Sequence, residues 1–399
     1  MSSTVFSSLR SSSLLMLVMA SFSLLYAQTA RSDYEYLVPP EASPFIHTTF
    51  EHSGWVSTKW NGPGLTMYDI SLLDLFFLKR VHDPAGSGRK VLFWPIEKHT
   101  HSISRLESRN VDSTEAWAQY KIYIPSSVGN YNIGNEQDDS NKLPGFTAGD
   151  SGSGDGGPKD GLHGWSARVG WKVDADNVFH IGYYTYHMDR PTQYGEWLNW
   201  DITLERNQWY TITEHVKANT LIPGNGPNGF TAANDGVLEA WVDDQQVMSR
   251  TNLRFTAIPD FSRVRAFWLT VYFGGPLKAP HNMGFYLDDI NVYRMIDPPP
   301  VVIEKSEPNP AHANDPIFLD LQINETGPYH LFVSDILNRR IIYQLEGFFE
   351  KSDQIQKVPI QMNGAAAGIY VPYLTFGGYK FGSSGSNESA NSKAMIVIQ

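Results

Sequence analysis

Two short segments carry residue types suited to chemistry on one surface: "DGLHGWSARVGWKV" at residues 160–173 and "HIGYYTYHMD" at 180–189. Alternate side chains of a strand share a face. The first segment then sets Trp165, Ala167, Val169 and Trp171 against Gly164, Ser166, Arg168 and Gly170. The second sets Ile181, Tyr183, Thr185 and His187 against His180, Gly182, Tyr184 and Tyr186. The apolar set is the core face, so Ser166 and Arg168 are expected to look outward between glycines that leave room for a ligand. Upstream, "SNKLPGFTAGD" places Lys142 just before a turn at Pro144 and Gly145, where a lysine can point into a cleft. "WAQYKIYIP" puts Gln119, Lys121 and Tyr123 on one face, and "SRLESRN" puts Arg105, Glu107 and Arg109 on one face. A sheet of these strands would display Arg, Lys, Gln and Tyr across a single groove. Arginine and lysine there can offset an anionic charge, and tyrosine and lysine can exchange protons where neighbouring cations bring their pKa values toward working pH.

The elements that hold such residues follow from composition. The 399 residues are 41% hydrophobic and 13% aromatic, enough for a packed core and, by length, for two or more domains. Glycine (33) and proline (24) are abundant and long helical heptads are absent, so the chain reads as all-β, with many short strands and turns. A formal net charge of −11 argues against a general nucleic-acid binder, though a groove can still be locally basic. There is no cysteine, which rules out thiol nucleophiles and thiolate metal sites.

The opening "MSSTVFSSLRSSSLLMLVMASFSLLYAQ" has one positive charge, Arg10, and then an apolar run ending in Ala27 and Gln28. That is the pattern of an export signal over residues 1–27, cleaved near Ala27. No other stretch is apolar enough to span a bilayer, so the mature chain is expected to be secreted or attached at the cell surface, without a membrane-spanning segment. An exported chain without disulfides fits a bacterial protein. Residues 28–53 read as a lead-in with an edge strand. Residues 54–296 alternate strand-like runs with turn clusters, as a β-sandwich does. "DPPPVVIEKSEPNP", 297–310, stacks prolines that cannot join a central strand and reads as a linker. Residues 301–399 form a second, small Ig-like sandwich, with strands such as "PIFLDLQI" and "GIYVPYLTFGG".

Over its last stretch the pattern "PNPA", then "VSDILNRRI", then "GIYVPYL" and a final "KAMIVIQ" resembles the C-terminal sorting domain of the Bacteroidetes type IX secretion system. That resemblance implies a partner in the type IX secretion machinery. The insert "SSGSNESANS" and the turn "DILNRR" depart from the usual pattern. In the main domain "NKLPGF", "GWSARVGW", "YTYHMD", "QWYTITEHVKANT", "DGVLEAWVDDQQV" and "FWLTVYFGG" follow one another as in polysaccharide lyase family 14, which this chain resembles over about residues 121–293. The resemblance implies a jelly-roll catalytic domain acting on an alginate- or glucuronan-type polyuronate. It implies catalytic roles for Lys142, for the Ser166–Arg168 pair, and for Tyr184 and Tyr186, the choice among Tyr183, Tyr184 and Tyr186 staying open. Arg105, Arg109, Gln119, Lys121 and His187 are then candidates for substrate binding. The implied reaction is β-elimination on a 4-linked hexuronate: a cation offsets the carboxylate, a base takes the C5 proton and an acid serves the departing O4. This scheme calls for no metal and no cofactor.

Each residue also has a plainer reading. A tyrosine in a strand packs more often than it reacts, and only phase with Arg168 lifts this pair. His180 and His187 rank second as proton carriers. "GDSGSGDGGPKDG", 149–161, could offer calcium three aspartates, but its spacing fits no EF-hand and a surface loop is the simpler reading. Asp288 and Asp289 read as strand-end hydrogen-bonding residues, and Trp197 and Trp200 as core tryptophans or sugar platforms. The rival function is a non-catalytic carbohydrate-binding protein on the same sandwich, which would have no need to keep Lys142, Arg168 and the tyrosines together. A two-carboxylate hydrolase is weaker, because Glu107 is the one acid expected on the open face.

Overall fold

The computed structural model describes residues 34–398 apart from 52–55, 58–64, 69–77, 102–104, 130–140, 150–158, 227–228, 276–277, 297–300, 313, 325–326, 338–339 and 377–394. The export signal, most of the 149–161 loop, the proline run 297–300 and the "SSGSNESANS" insert lie outside the described residues. Among those described there is no α-helix, and none that could cross a membrane.

The strands in chain order are β1 (Ser43–Thr48), β2 (Val56–Ser57), β3 (Leu65–Tyr68), β4 (Lys79–His82), β5 (Lys90–Ile96), β6 (Arg105–Ser113), β7 (Glu115–Tyr123), β8 (Asn141–Ala148) and β9 (Trp165–Val173). They continue with β10 (Phe179–Tyr186), β11 (Glu196–Thr203), β12 (Trp209–Lys217), β13 (Leu221–Pro223), β14 (Phe230–Ala232), β15 (Gly236–Val242), β16 (Gln245–Leu253), β17 (Val264–Leu269) and β18 (Met283–Arg294). Two sheets make a jelly-roll sandwich. One runs β16-β15-β12-β7-β18-β5-β4, with β1 also paired to β18; the other runs β11-β10-β9-β8-β17-β6-β3-β2. The lead-in strand Ser43–Thr48 thus belongs to the first sandwich.

The period-two alternation builds the space between the sheets. Trp165, Ala167, Val169 and Trp171 of β9 are all buried there, as are Ile181 and Tyr183 of β10. Rings from opposite sheets close the gap: Trp171 lies 5.2 Å from Phe285 and Tyr120 lies 6.3 Å from Phe267. This interior also holds a carboxyl group. Glu214 of β12 is fully buried beside Tyr120 and Tyr183, and burial holds its carboxyl well above the usual carboxylate range, which favours its neutral form.

A separate core is built from residue 301 onward. It packs a sheet of β19 (Val301–Glu307), β20 (Ile317–Ile323) and β23 (Ser352–Ile360) with one of β21 (Gly327–Asp335), β22 (Ile341–Phe349), β24 (Gly368–Phe376) and β25 (Ile396–Ile398). Residues 301–307 are therefore a strand paired with β20 and not part of a linker. Val301, Ile303 and, past a register shift, Ser306 are buried, and only after them do Pro308 and Pro310 stop the ladder.

Candidate active site

The site sheet owes its chemistry to a bulge in β8. Lys142 pairs with Gly170, but Gly145 pairs with Arg168, so Leu143 and Pro144 together oppose Val169. In unbroken alternation Lys142 and Phe146, four residues apart, would share a face. With it, Phe146 enters the core while Lys142 stands on the outer face, partly exposed. The bulge frees the Leu143 carbonyl, which accepts a 2.9 Å hydrogen bond from Arg168 Nη2. Past the end of β17, Tyr272 bridges back to Lys142 through paired backbone bonds of 2.7 and 2.8 Å.

Cross-strand register then aligns the outer face in rows. One row reads Trp197, Tyr184, Arg168, Gly145, Trp268 and Glu107 from β11 to β6. The next reads Tyr186, Ser166, Thr147, Ala266 and Arg109. Arg105 pairs with Tyr68 on the same sheet. The Lys142 ammonium lies 4.6 Å from the centroid of the Tyr184 ring and 5.1 Å from that of Tyr272, whose ring stacks on His101 at 5.6 Å. The Tyr184 and Tyr186 rings meet edge to face at 5.7 Å.

Lys142, Ser166, Arg168, Tyr184 and Tyr186 are thus brought onto one sheet, with differences in exposure. Ser166 is on the outer face as its spacing requires but is covered there, and Arg168 is only 6% exposed. The guanidinium, committed to the bulge carbonyl and 5.7 Å from the centroid of the Trp268 ring, holds the loop that presents Lys142. Tyr183 is in the core and donates to the Glu239 carbonyl at 2.9 Å, which removes it from the choice of tyrosines. The room expected over Gly170 and Gly182 is taken by the Trp197 indole, since a Cβ at either glycine would come within 3 Å of its ring. Trp200 is a core residue.

Three of the expected binding residues sit elsewhere. Gln119 and Lys121 are on β7, in the opposite sheet. Gln119 is buried, bonding Tyr34 O at 2.7 Å and Thr213 Oγ1 at 3.1 Å, and Lys121 pairs with Asp289 at 3.0 Å. The alternation of β7 was read correctly, but which sheet a strand joins depends on remote pairing. His187 is buried, and its Nε2 lies 2.6 Å from Glu196. Burial lowers its pKa, so the neutral ring donates Nε2–H to that carboxylate while Nδ1 accepts from the Asp189 amide at 3.3 Å. His180 pairs with Asp174 at 2.7 Å. Asp288 and Asp289 are not at a strand end. They sit at a bulge within β18, both bound to Arg89, and burial pushes Asp288 up to about 6.

Two residues were missed. Tyr272 follows Trp268 and Thr270 in the same alternation, which was the available signal. Arg190 donates to His187 O at 2.7 Å and stands 5.2 Å from the Tyr186 ring centroid, in a turn that no periodicity marks. Among the described residues no group of three or more His, Cys, Asp or Glu is placed to hold a metal ion.

Residues 95–280 match the family model of polysaccharide lyase 14. No curated protein matches the chain. Among solved structures, the alginate lyase Aly36B is 17% identical with a TM-score of 0.45, over 64% of this chain and 98% of that one. The marine alginate lyase of Aplysia kurodai is 19% identical with a TM-score of 0.40, over 54% of this chain and 87% of that one. The endo-β-1,4-glucuronan lyase of the fungus Trichoderma reesei is 14% identical with a TM-score of 0.37, over 64% and 97%. The family match spans every strand from β6 to β17, and with them Lys142, Arg168, Tyr184 and Tyr272, so the site described above lies within the segment similar to polysaccharide lyase 14, and that match supports a polysaccharide lyase.

Proposed function

We propose that the chain cleaves a 4-linked polyuronate, of alginate or glucuronan type, by β-elimination centred on Lys142 and Tyr184. The observation that carries this reading is the Lys142 ammonium 4.6 Å from the Tyr184 ring on the outer face of the site sheet. The C5 proton of a uronate is poorly acidic beside an ionised carboxylate, so a cation must first offset that charge, and Lys142 is the partly exposed one beside Tyr184. An adjacent ammonium favours a phenolate over a phenol. As phenolate, Tyr184 takes the C5 proton; the C–H electron pair becomes the C4=C5 double bond; the C4–O4 bond breaks; and Tyr184 returns the proton to O4. No water is consumed, and the new non-reducing end is a 4,5-unsaturated uronate. Arg168 acts through the bulge, and Tyr272 flanks Lys142 on the other side.

In the same proposal residues 1–27 direct export, and residues 301–399 deliver the enzyme to the cell surface as a type IX sorting domain. The expected partners are an anionic polysaccharide and that secretion machinery. Incubating the full-length mature protein with mannuronan, guluronan and glucuronan, and following the ultraviolet absorbance of unsaturated ends, tests the activity. Product on at least one polymer is expected. Tight binding without product on all three would instead make this a carbohydrate-binding protein.

A further inference from the structure

Beside Lys142 the same face carries a second pairing of cation and ring. Gly170 and Gly182 are direct cross-strand partners in β9 and β10. Each glycine costs a strand interior about 0.5–1 kcal/mol, so two face to face require a reason. Trp197 supplies it. A Cβ on Gly170 would stand 2.7 Å from Trp197 Cζ3 and one on Gly182 2.9 Å from Cζ2, so the indole is bedded on bare backbone from both strands. Lys172, the next outer-face residue of β9, sets its ammonium 4.4 Å from the centroid of that indole. Both side chains are partly exposed, whereas Trp200 is fully buried.

We infer that Trp197 and Lys172 form a second uronate subsite, in which the Lys172 ammonium pairs with a sugar carboxylate and the indole packs against that sugar's C–H surface. The inference rests on the polyuronate reading above. Lys172 lies two residues beyond Gly170, the partner of Lys142. Strand geometry therefore separates the backbones of the two lysines by roughly 7 Å along β9 and about 4.8 Å across it. Two carboxylates of one chain lying obliquely over the sheet can meet that spacing. Trp197 is also the register partner of Tyr184, so the subsite adjoins the reacting centre directly.

Lys172→Gln and Trp197→Phe, each in the full chain, are compared with wild type by steady-state kinetics on oligouronates of increasing length. For oligomers long enough to cover both sites, Lys172→Gln is expected to raise KM about tenfold, the worth of one charge-assisted contact, with the change concentrated in KM. Trp197→Phe should raise KM in the same length range. For the shortest cleavable oligomer, bound without the second subsite, the variants and wild type should coincide. KM values equal to wild type at every length overturn the inference. So does a shift of the same size at every length, because it marks only a packing role for the indole. Wild-type protein that yields no unsaturated product from any oligomer overturns the polyuronate reading itself, and the subsite with it.

Discussion

Tyr184 and Tyr186 lie two residues apart on one strand, with rings 5.7 Å apart, yet only Tyr184 has the Lys142 ammonium against it, at 4.6 Å. Tyr186 lies instead beneath the guanidinium of Arg190 and is 3% exposed.

In the proposed elimination that difference favours Tyr184 over Tyr186 as the proton carrier. Tyr184→Phe keeps the ring, which lies over Gly195, and deletes only the hydroxyl. It should lower kcat by roughly 10²-fold or more with KM near wild type, as when a group acting only in the transition state is lost. Tyr186→Phe and Tyr272→Phe should each cost less than tenfold. A larger loss in either, with Tyr184→Phe near normal, moves the reaction to the other tyrosine.

Arg168 is expected to act on the geometry of Lys142 as much as on substrate. Arg168→Ala leaves the Leu143 carbonyl buried without its donor, a loss of about 1–3 kcal/mol. Thermal unfolding should show the lowered stability, and kcat should fall with it. Arg168→Lys should restore the charge without restoring the activity, because a lysine has no guanidinium fork to reach the bulge. An Arg168→Ala protein with wild-type melting temperature would show that the bulge does not need this contact.

On the opposite sheet, His215 is held between Glu115 at 2.8 Å and Glu239 at 2.9 Å and stacks on Trp117 at 4.5 Å. Burial opposes its charge, but the two carboxylates win and its pKa is raised from the ordinary histidine value. The folded state then holds the proton more tightly than the unfolded state. The stabilisation is complete below the unfolded pKa, near 6.5, and is lost as pH rises through the raised folded value. Melting temperatures measured across this range should fall for wild type and fall less for His215→Gln; parallel curves would show that the ion pairs do not contribute.

Burial favours the neutral form of Glu214, so the isosteric amide should serve nearly as well. Glu214→Gln is expected to change stability by no more than about 1 kcal/mol at neutral pH, whereas Glu214→Ala opens a cavity and should cost about 2–4 kcal/mol. A severe loss in Glu214→Gln, measured by denaturant unfolding at pH 7, would mean that the carboxyl is ionised and paired.

The strands of the site were legible because period-two alternation is a local property. Trp165, Ala167, Val169 and Trp171 face the core as their spacing requires, and the Tyr184–Arg168 and Tyr186–Ser166 pairs follow from it. What was not legible depends on remote pairing. Gln119 and Lys121 had the right face but the wrong sheet, because nothing in β7 itself says which strands will flank it. Gly170 and Gly182 looked like space for a ligand, yet a side chain from β11 fills it. The bulge that turns Lys142 outward was signalled only by Pro144, a residue that also fits a plain turn.

The most direct test of elimination at the Lys142–Tyr184 centre is the mass of the oligosaccharides that the full-length mature protein releases from a defined oligouronate. Elimination predicts two fragments whose masses sum to that of the parent, the one carrying the new non-reducing end being unsaturated, with Tyr184→Phe forming the same pair far more slowly. Fragments whose masses sum to the parent plus one water would show hydrolysis and contradict the account.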